Sequence, residues 1–393
     1  MVSLAITLMI LVDAFSAKYL SREYMPFVFS LGEEGFSTTV KPMFAFKGIE
    51  TTIFTGMWPD RHGVWTEMSF NGGCNSSRIS TIFKTIVRLS DMIHNDKIRK
   101  LTRIGGEILF GGTTSRLTPN IIPAEALSYF EPSQKKAIYE EGSIDSIPTF
   151  FDILRGNKIN FAFIEPPFLT GDEGIIDKVK GFESKERTQF WYVKFNKLDK
   201  EGHIHGPNPT QFKESLRRID GYVEQLVREV TALGDINILI CTDHGMSKVS
   251  KYVDILQGLQ YLRARMYKDY ITFLDSTIAR FWFFDKTVKG EIEEYLNSLA
   301  SGHILSSQER KALRIPDDVR NGEMIYVMDE GQVIYPDFWS GTRVVKGMHG
   351  YAYSKTEEAS PVLIANGSMA QYCDKVPVHY TDIFSLLINS LGL

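Results

Sequence analysis

The sequence predicts an α/β fold built on a mixed, mainly parallel central sheet sandwiched by helices. Three observations point there. Residues 4–12 and 238–242 are nearly continuous apolar or β-branched runs, the pattern of central strands covered on both faces. Each run ends on an aspartate, Asp13 and Asp243, and parallel strands deliver functional groups at their carboxyl ends. Just before the second run, Ile219, Val223, Leu226, Val227 and Val230 recur at helical spacing within residues 211–233, which predicts an amphipathic helix lying on that sheet.

At 393 residues, with 43% hydrophobic and 23% charged residues, the chain can bury a large core. The net charge of −4 and a pI near 6.1 exclude a disordered chain and a binder of nucleic acid duplexes. The predicted organisation is one domain over residues 1–393, with a helical insertion at about 65–145 and a smaller α+β cap at about 251–345. Cys74, Cys241 and Cys373 are odd in number and far apart, which argues against a disulfide framework and for the reducing cytoplasm. The N-terminal run lacks a basic leader and a cleavage site. It is also shorter than the ~20 residues a membrane-spanning helix needs, as is every other apolar run, so no transmembrane segment is predicted.

In chain order, residues 19–35 read as helix and 36–40 as strand. Residues 41–64 read as strand, Gly-containing turn and short helix, followed by a Pro-Asp turn. Residues 79–109 carry apolar positions at helical spacing among Lys84, Arg88, Lys97, Arg99, Lys100 and Arg103. That basic amphipathic segment reads as a solvated face over the core, or as a surface for an anionic or lipid-linked substrate. Helix is predicted at 147–156 and strands at 160–164 and 188–195. The loop after the last strand carries Asp199 and His203, four residues apart, and Gly202 and Gly206-Pro207 favour a tight turn there over a long helix. His205 is read as exposed. Beyond the helix at 211–233, residues 272–284 are β-rich, 287–301 mostly helical, and 323–335 hold two short strands. His349 sits in a Gly-rich turn, followed by a strand at 361–364 and a closing helix at 380–393.

Asp13, Asp199, His203, Asp243, His244 and His349 thus all stand at strand ends or in Gly-rich loops. Taken singly each has a plainer explanation: Asp13 as a helix N-cap, Asp243 and His244 as a loop carboxylate paired with an imidazole. Taken together, three carboxylates and three imidazoles would serve two divalent ions. Nitrogen and oxygen donors without thiolate suit Zn²⁺, with Mn²⁺ as the harder alternative.

These motifs resemble the alkaline phosphatase superfamily, and most closely its type I phosphodiesterase/nucleotide pyrophosphatase branch. Leu11-Val-Asp-Ala-Phe is similar to the first metal-binding strand, and Thr55-Gly-Met-Trp-Pro-Asp-Arg-His-Gly to the TG-x-x-P-x-x-HG segment. Asp199-Lys-Glu-Gly-His-Ile-His-Gly-Pro fits D-x-x-G-H-x-x-G-P, Thr242-Asp-His-Gly-Met fits T-D-H-G-M, and His349 the final G-x-H-G histidine. The resemblance implies that Asp199, His203 and His349 hold one ion and Asp13, Asp243 and His244 the other. It implies an alkaline phosphatase-like fold and hydrolysis of a phosphodiester or pyrophosphate bond in a phosphorylated small molecule, nucleotide-sugar or lipid-linked substrate. Phosphomonoester or sulfate-ester hydrolysis, phosphoryl-group transfer and binding without turnover are its alternatives.

One position departs from the pattern. The family's Thr or Ser nucleophile should fall at or beside Phe46, where Ala45-Phe46-Lys47-Gly48 offers no hydroxyl. Three routes remain open: Thr51 or Thr52 serves through a shifted loop, a metal-bound hydroxide attacks directly, or the protein binds without turnover. Lys47, at the start of a helix, is placed to grip a phosphoryl oxygen.

Overall fold

The computed structural model describes residues 5–73, 81–93, 98–99, 101–102, 121–167, 169–208, 210, 213–353, 362–373 and 378–393. Its main sheet has six strands, in the order Phe36–Thr39, Val362–Asn366, Ile236–Cys241, Ile6–Val12, Phe190–Phe195 and Phe161–Ile164. The last four run parallel, while Val362–Asn366 pairs antiparallel with both of its neighbours. The sheet is therefore mixed and mainly parallel, as the two continuous apolar runs require.

Register assigns the faces. Leu11 lies opposite both Lys194 and Cys241, and side chains alternate along a strand. Met9, Leu11, Tyr192, Leu239 and Cys241 therefore share one face, packed with residues of the helices Gly48–Thr55, Phe150–Gly156 and Tyr380–Ser390. Leu8, Ile10, Val12, Trp191, Val193, Ile238 and Ile240 form the other, under the helices Pro26–Glu34 and Lys213–Thr231. The latter helix buries Leu216, Ile219, Val223, Leu226 and Val230, each contributing about 1.5–3 kcal/mol of apolar burial. It also holds its neighbour through Asp220, whose carboxylate accepts from the first-turn N–H groups of Phe27 and Val28 at 3.1 and 2.9 Å.

A second core is built on the antiparallel sheet Tyr270–Leu274, Ile278–Phe283, Met324–Met328 and Gly302–Ile304. It falls in the segment expected to form an α+β cap. Of the expected helical insertion, the helix Thr81–Asp91 is described; residues 74–80, 94–97, 100 and 103–120 of that insertion, Cys74 among them, lie outside the described residues, as does Pro361.

Three elements differ from expectation. Of the helix expected over residues 19–35, the stretch 20–25 is irregular and the helix runs Pro26–Glu34. Residues 41–47 form no strand; the chain crosses there irregularly into the helix Gly48–Thr55. The segment expected as a tight turn is a nine-residue helix, Lys197–His205. Its cap comes from far away in sequence: Asp172 accepts from the N–H groups of Asn196 and Lys197, both at 3.1 Å. Gly202 does not break this helix but lets it seat against the rest, since a Cβ there would lie 2.7 Å from the Met246 side chain.

Candidate metal centre

The centre lies at the carboxyl ends of the parallel strands. Asp13 follows Ile6–Val12, Asp243 and His244 follow Ile236–Cys241, and the helix carrying Asp199 and His203 begins two residues after Phe195. A short antiparallel pair, Ser247 with Met348 and Lys248 with Gly347, brings His349 beside them. The sequence-predicted ligands therefore converge. The ring of His349 stacks on that of His244 with centroids 3.6 Å apart and planes 8° from parallel.

The chain turns sharply to make this possible. Ala14 takes a left-handed conformation, φ 59°, uncommon for a residue with a Cβ and typical of strain held at functional sites. Its N–H donates to Asp243 Oδ1 at 3.3 Å, and the Phe15 N–H donates to Thr242 Oγ1 at 3.0 Å. Thr242 in turn donates to the His244 carbonyl at 2.8 Å. The two acidic strand ends are thus tied to one another through the backbone.

The histidines are oriented from behind. His203 Nδ1 meets the Gly347 carbonyl at 2.9 Å, and His244 Nδ1 meets the Gly245 carbonyl at 2.9 Å. A carbonyl can only accept, so each Nδ1 carries a proton and Nε2 is the nitrogen turned forward, the outer-shell arrangement of metal-ligating imidazoles. His203 Nε2 lies 3.1 Å and His349 Nε2 3.5 Å from Asp199 Oδ1. His244 Nε2 lies 3.4 Å from Asp13 Oδ1. Asp13 Oδ1, Asp199 Oδ1 and His203 Nε2 are all buried without a hydrogen-bond partner.

Buried acceptors facing one another cost free energy unless a cation stands between them. The ligand atoms of Asp199, His203 and His349 lie within 4.8 Å of one another, as do those of Asp13, Asp199 and His244. The donor set and its orphaned atoms therefore fit a bound metal. Asp199 is common to both groups, and Asp243 belongs to neither. The Asp243 carboxylate is turned instead to the N–H groups of Ala14 and His244 and to Lys194.

Lys194 and Glu50 are the charged residues that sequence reasoning missed. Lys194 Nζ lies 3.6 Å from Asp13 Oδ2 and 3.8 Å from Asp243 Oδ2. Burial and Asp243 push Asp13 well above the usual carboxylate range, with Lys194 opposing. Burial alone would lower the Lys194 ammonium, but Glu50, Asp13 and Asp243 outweigh it and hold it well above its ordinary value. Glu50 also accepts from the Tyr192 hydroxyl. The available signal was a single lysine in an otherwise wholly buried strand, Phe190–Phe195.

The expected catalytic residues have partners of their own. Lys47 Nζ is 3.9 Å from Glu50 Oε2 at the start of the helix Gly48–Thr55. Thr51 is fully buried and its hydroxyl points to Gln134 Oε1 at 3.5 Å. Thr52 is paired with His62 Nε2 at 2.9 Å. The Phe46 ring packs against His349, with centroids 6.1 Å apart, and against Gly350, where a Cβ would come within 2.4 Å of it. His205, expected to be exposed, has its side chain 40% accessible. A small cleft opens beside the centre, lined in part by Asp243, His244, Ser247, His349 and Tyr351.

Comparison with known proteins agrees with this geometry. The family described as type I phosphodiesterase/nucleotide pyrophosphatase matches residues 7–79 and 127–352, more than half of the chain. Human ectonucleotide pyrophosphatase/phosphodiesterase family member 5 is 25% identical over 226 residues, 55% of this chain and 45% of that protein. Ectonucleotide pyrophosphatase/phosphodiesterase 1 of Saccharomyces cerevisiae is 23% identical over 293 residues, 68% of this chain and 37% of that protein. The chain thus spans less than half the length of these two curated relatives. Among solved structures, murine ectonucleotide pyrophosphatase/phosphodiesterase 5, as an inactive variant in complex with AMP, superposes with a TM-score of 0.68 at 16% identity, covering 99% of this chain and 95% of that one. The order of motifs, the mainly parallel sheet and the convergent ligands have one explanation: the chain belongs to the type I phosphodiesterase/nucleotide pyrophosphatase family.

Proposed function

We propose that this protein is a metal-dependent hydrolase of phosphodiester or pyrophosphate bonds. The observation that carries the proposal is the convergence of two groups of ligand atoms, Asp199 with His203 and His349 and Asp13 with Asp199 and His244, each within 4.8 Å, in which Asp13 Oδ1, Asp199 Oδ1 and His203 Nε2 are buried without a hydrogen-bond partner. In this reading Asp199, His203 and His349 hold one divalent ion and Asp13, Asp243 and His244 a second. The mixed nitrogen and oxygen donors suit Zn²⁺, with Mn²⁺ as the harder alternative. Bound there, the ions supply Lewis acidity for the phosphoryl oxygens and a nucleophilic water near neutral pH.

The chain's own residues do the rest. His203 and His244 are fixed in one tautomer by the Gly347 and Gly245 carbonyls. Lys47 stands at a helix start where it can grip an anionic oxygen. Phe46 offers no hydroxyl, and that of Thr51 faces Gln134, so direct attack by water is favoured over a covalent phosphoryl intermediate on Thr51. AMP in the related murine protein supports a nucleotide-type substrate; nucleotide-sugars and lipid-linked phosphates share the same chemistry. Two buried free thiols, Cys241 and Cys373, support a cytoplasmic setting, and no helix among the described residues is long and apolar enough to cross a membrane.

The test is turnover of bis-(p-nitrophenyl) phosphate by protein loaded with Zn²⁺ or Mn²⁺. Activity that Asp199→Asn abolishes is expected; no turnover of any phosphoester by fully loaded protein would overturn the proposal.

A further inference from the structure

We propose that the ammonium of Lys194 is a built-in cation at the second metal position, so that the two positions load unequally: the first ion tightly, the second only weakly. This rests on the two-position reading above and refines it. Lys194 lies in the strand Phe190–Phe195, level with Leu11 and Cys241 on the neighbouring strands. Asp13 and Asp243 each lie two residues further on and so on the same face. Side chains lean along the strand, which carries the ammonium to 3.6 Å from Asp13 Oδ2 and 3.8 Å from Asp243 Oδ2.

Of the other oxygens of this pair, that of Asp243 is also engaged, while that of Asp13 has no hydrogen-bond partner. Asp243 Oδ1 accepts from the backbone of Ala14 at 3.3 Å and of His244 at 3.0 Å, and Asp13 Oδ1 faces His244. An ion entering here meets carboxylates already half neutralised and must push aside a fixed like charge. The first position differs. Among the described residues Asp199 is ion-paired only with His203 and His349, with no lysine or arginine beside it. A divalent ion there gains the whole attraction of its carboxylate.

Unit charges about 4 Å apart near a protein surface interact strongly enough to change binding by two orders of magnitude or more. The expected separation of the two affinities is therefore about 100-fold or greater. The experiment is a Zn²⁺ titration of the full chain by calorimetry, with metal content measured after desalting, on the wild type, the nearly isosteric Lys194→Met and the polar, uncharged Lys194→Gln. A Co²⁺ titration followed by its visible absorption counts the same sites without reference to activity.

The expected result is one ion retained by the wild type and a second, weak step, with two ions retained by whichever variant folds. Two steps of like affinity in the wild type overturn the proposal without recourse to a variant, and leave the hydrolase reading standing. A folded variant that still retains one ion overturns it too. A wild type that binds no ion removes both the proposal and the two-position reading beneath it.

Discussion

His203 Nε2 lies 3.1 Å from Asp199 Oδ1, one helical turn away, and both atoms are buried without a hydrogen-bond partner. With Nδ1 spent on the Gly347 carbonyl, Nε2 is the nitrogen left to face the carboxylate, and a divalent ion between the two would satisfy both. Metal should therefore stabilise the fold as well as serve chemistry. At a free Zn²⁺ concentration of a hundred times Kd, linkage predicts about 2.7 kcal/mol of added stability. Calorimetry of chelator-stripped protein with and without Zn²⁺ should show a raised Tm, and Asp199→Asn should lose most of that rise. An unchanged Tm in the wild type would mean that no ion binds there.

Asp172 governs the same ligands from a distance. Its carboxylate caps the helix Lys197–His205 at Asn196 and Lys197, and the cap and the favourable charge at the helix N-terminus are together worth about 1–2 kcal/mol. Asp172→Ala should cost that much stability in urea unfolding and weaken retention of the first ion, because Asp199 sits in the first turn of that helix. Asp172→Asn should recover part of both, since an amide oxygen still caps. Loss of stability with unaltered metal affinity would show that the cap does not position the ligands.

His62 sets a pH limit on the fold. The Val64 N–H donates to its Nδ1 at 3.2 Å, so the proton is on Nε2, beside Thr52 Oγ1 at 2.9 Å. Burial, which penalises the charged ring, lowers its pKa to about 4. A depressed folded-state pKa means stability that is full above pH ~6.5 and declines as pH falls towards about 4. The loss attributable to this group reaches at most about 3 kcal/mol. Urea midpoints measured across that window should fall for the wild type and fall less for His62→Gln; parallel curves would rule His62 out.

The parts of the centre legible in the sequence were those whose signal is local. Asp13 and Asp243 stand out because continuous apolar runs deliver them, and Asp199 and His203 because their spacing lets both reach one ion. The helix that carries this last pair was hidden, because its cap, Asp172, is 25 residues upstream of Lys197 and the Gly202 that suggests a turn serves close packing instead. Gly206 turns the chain only where the helix ends, with φ 78°. Gly202 faces Met246, and a Cβ on Gly206 would approach the Lys346 carbonyl at 3.1 Å. Lys194 escaped for a related reason. Its partners arrive from two other strands, and a lone lysine in an apolar run announces no partner.

The Phe46 ring marks the last consequence. It packs on His349 and Gly350 where the family pattern calls for a hydroxyl, and no threonine of the following helix replaces it, since Thr51 and Thr52 are committed to Gln134 and His62. An in-line attack needs approach to within about 3–3.5 Å, which a buried hydroxyl facing the other way does not make. Hydrolysis of a substrate with a chiral phosphorus in ¹⁸O-water should therefore proceed with inversion, and Thr51→Val should keep both turnover and inversion. Phe46→Thr, which supplies a hydroxyl where the family has one, should shift the outcome towards retention by double displacement. Retention in the wild type, together with loss of activity in Thr51→Val, would reject direct attack and assign the nucleophile to Thr51.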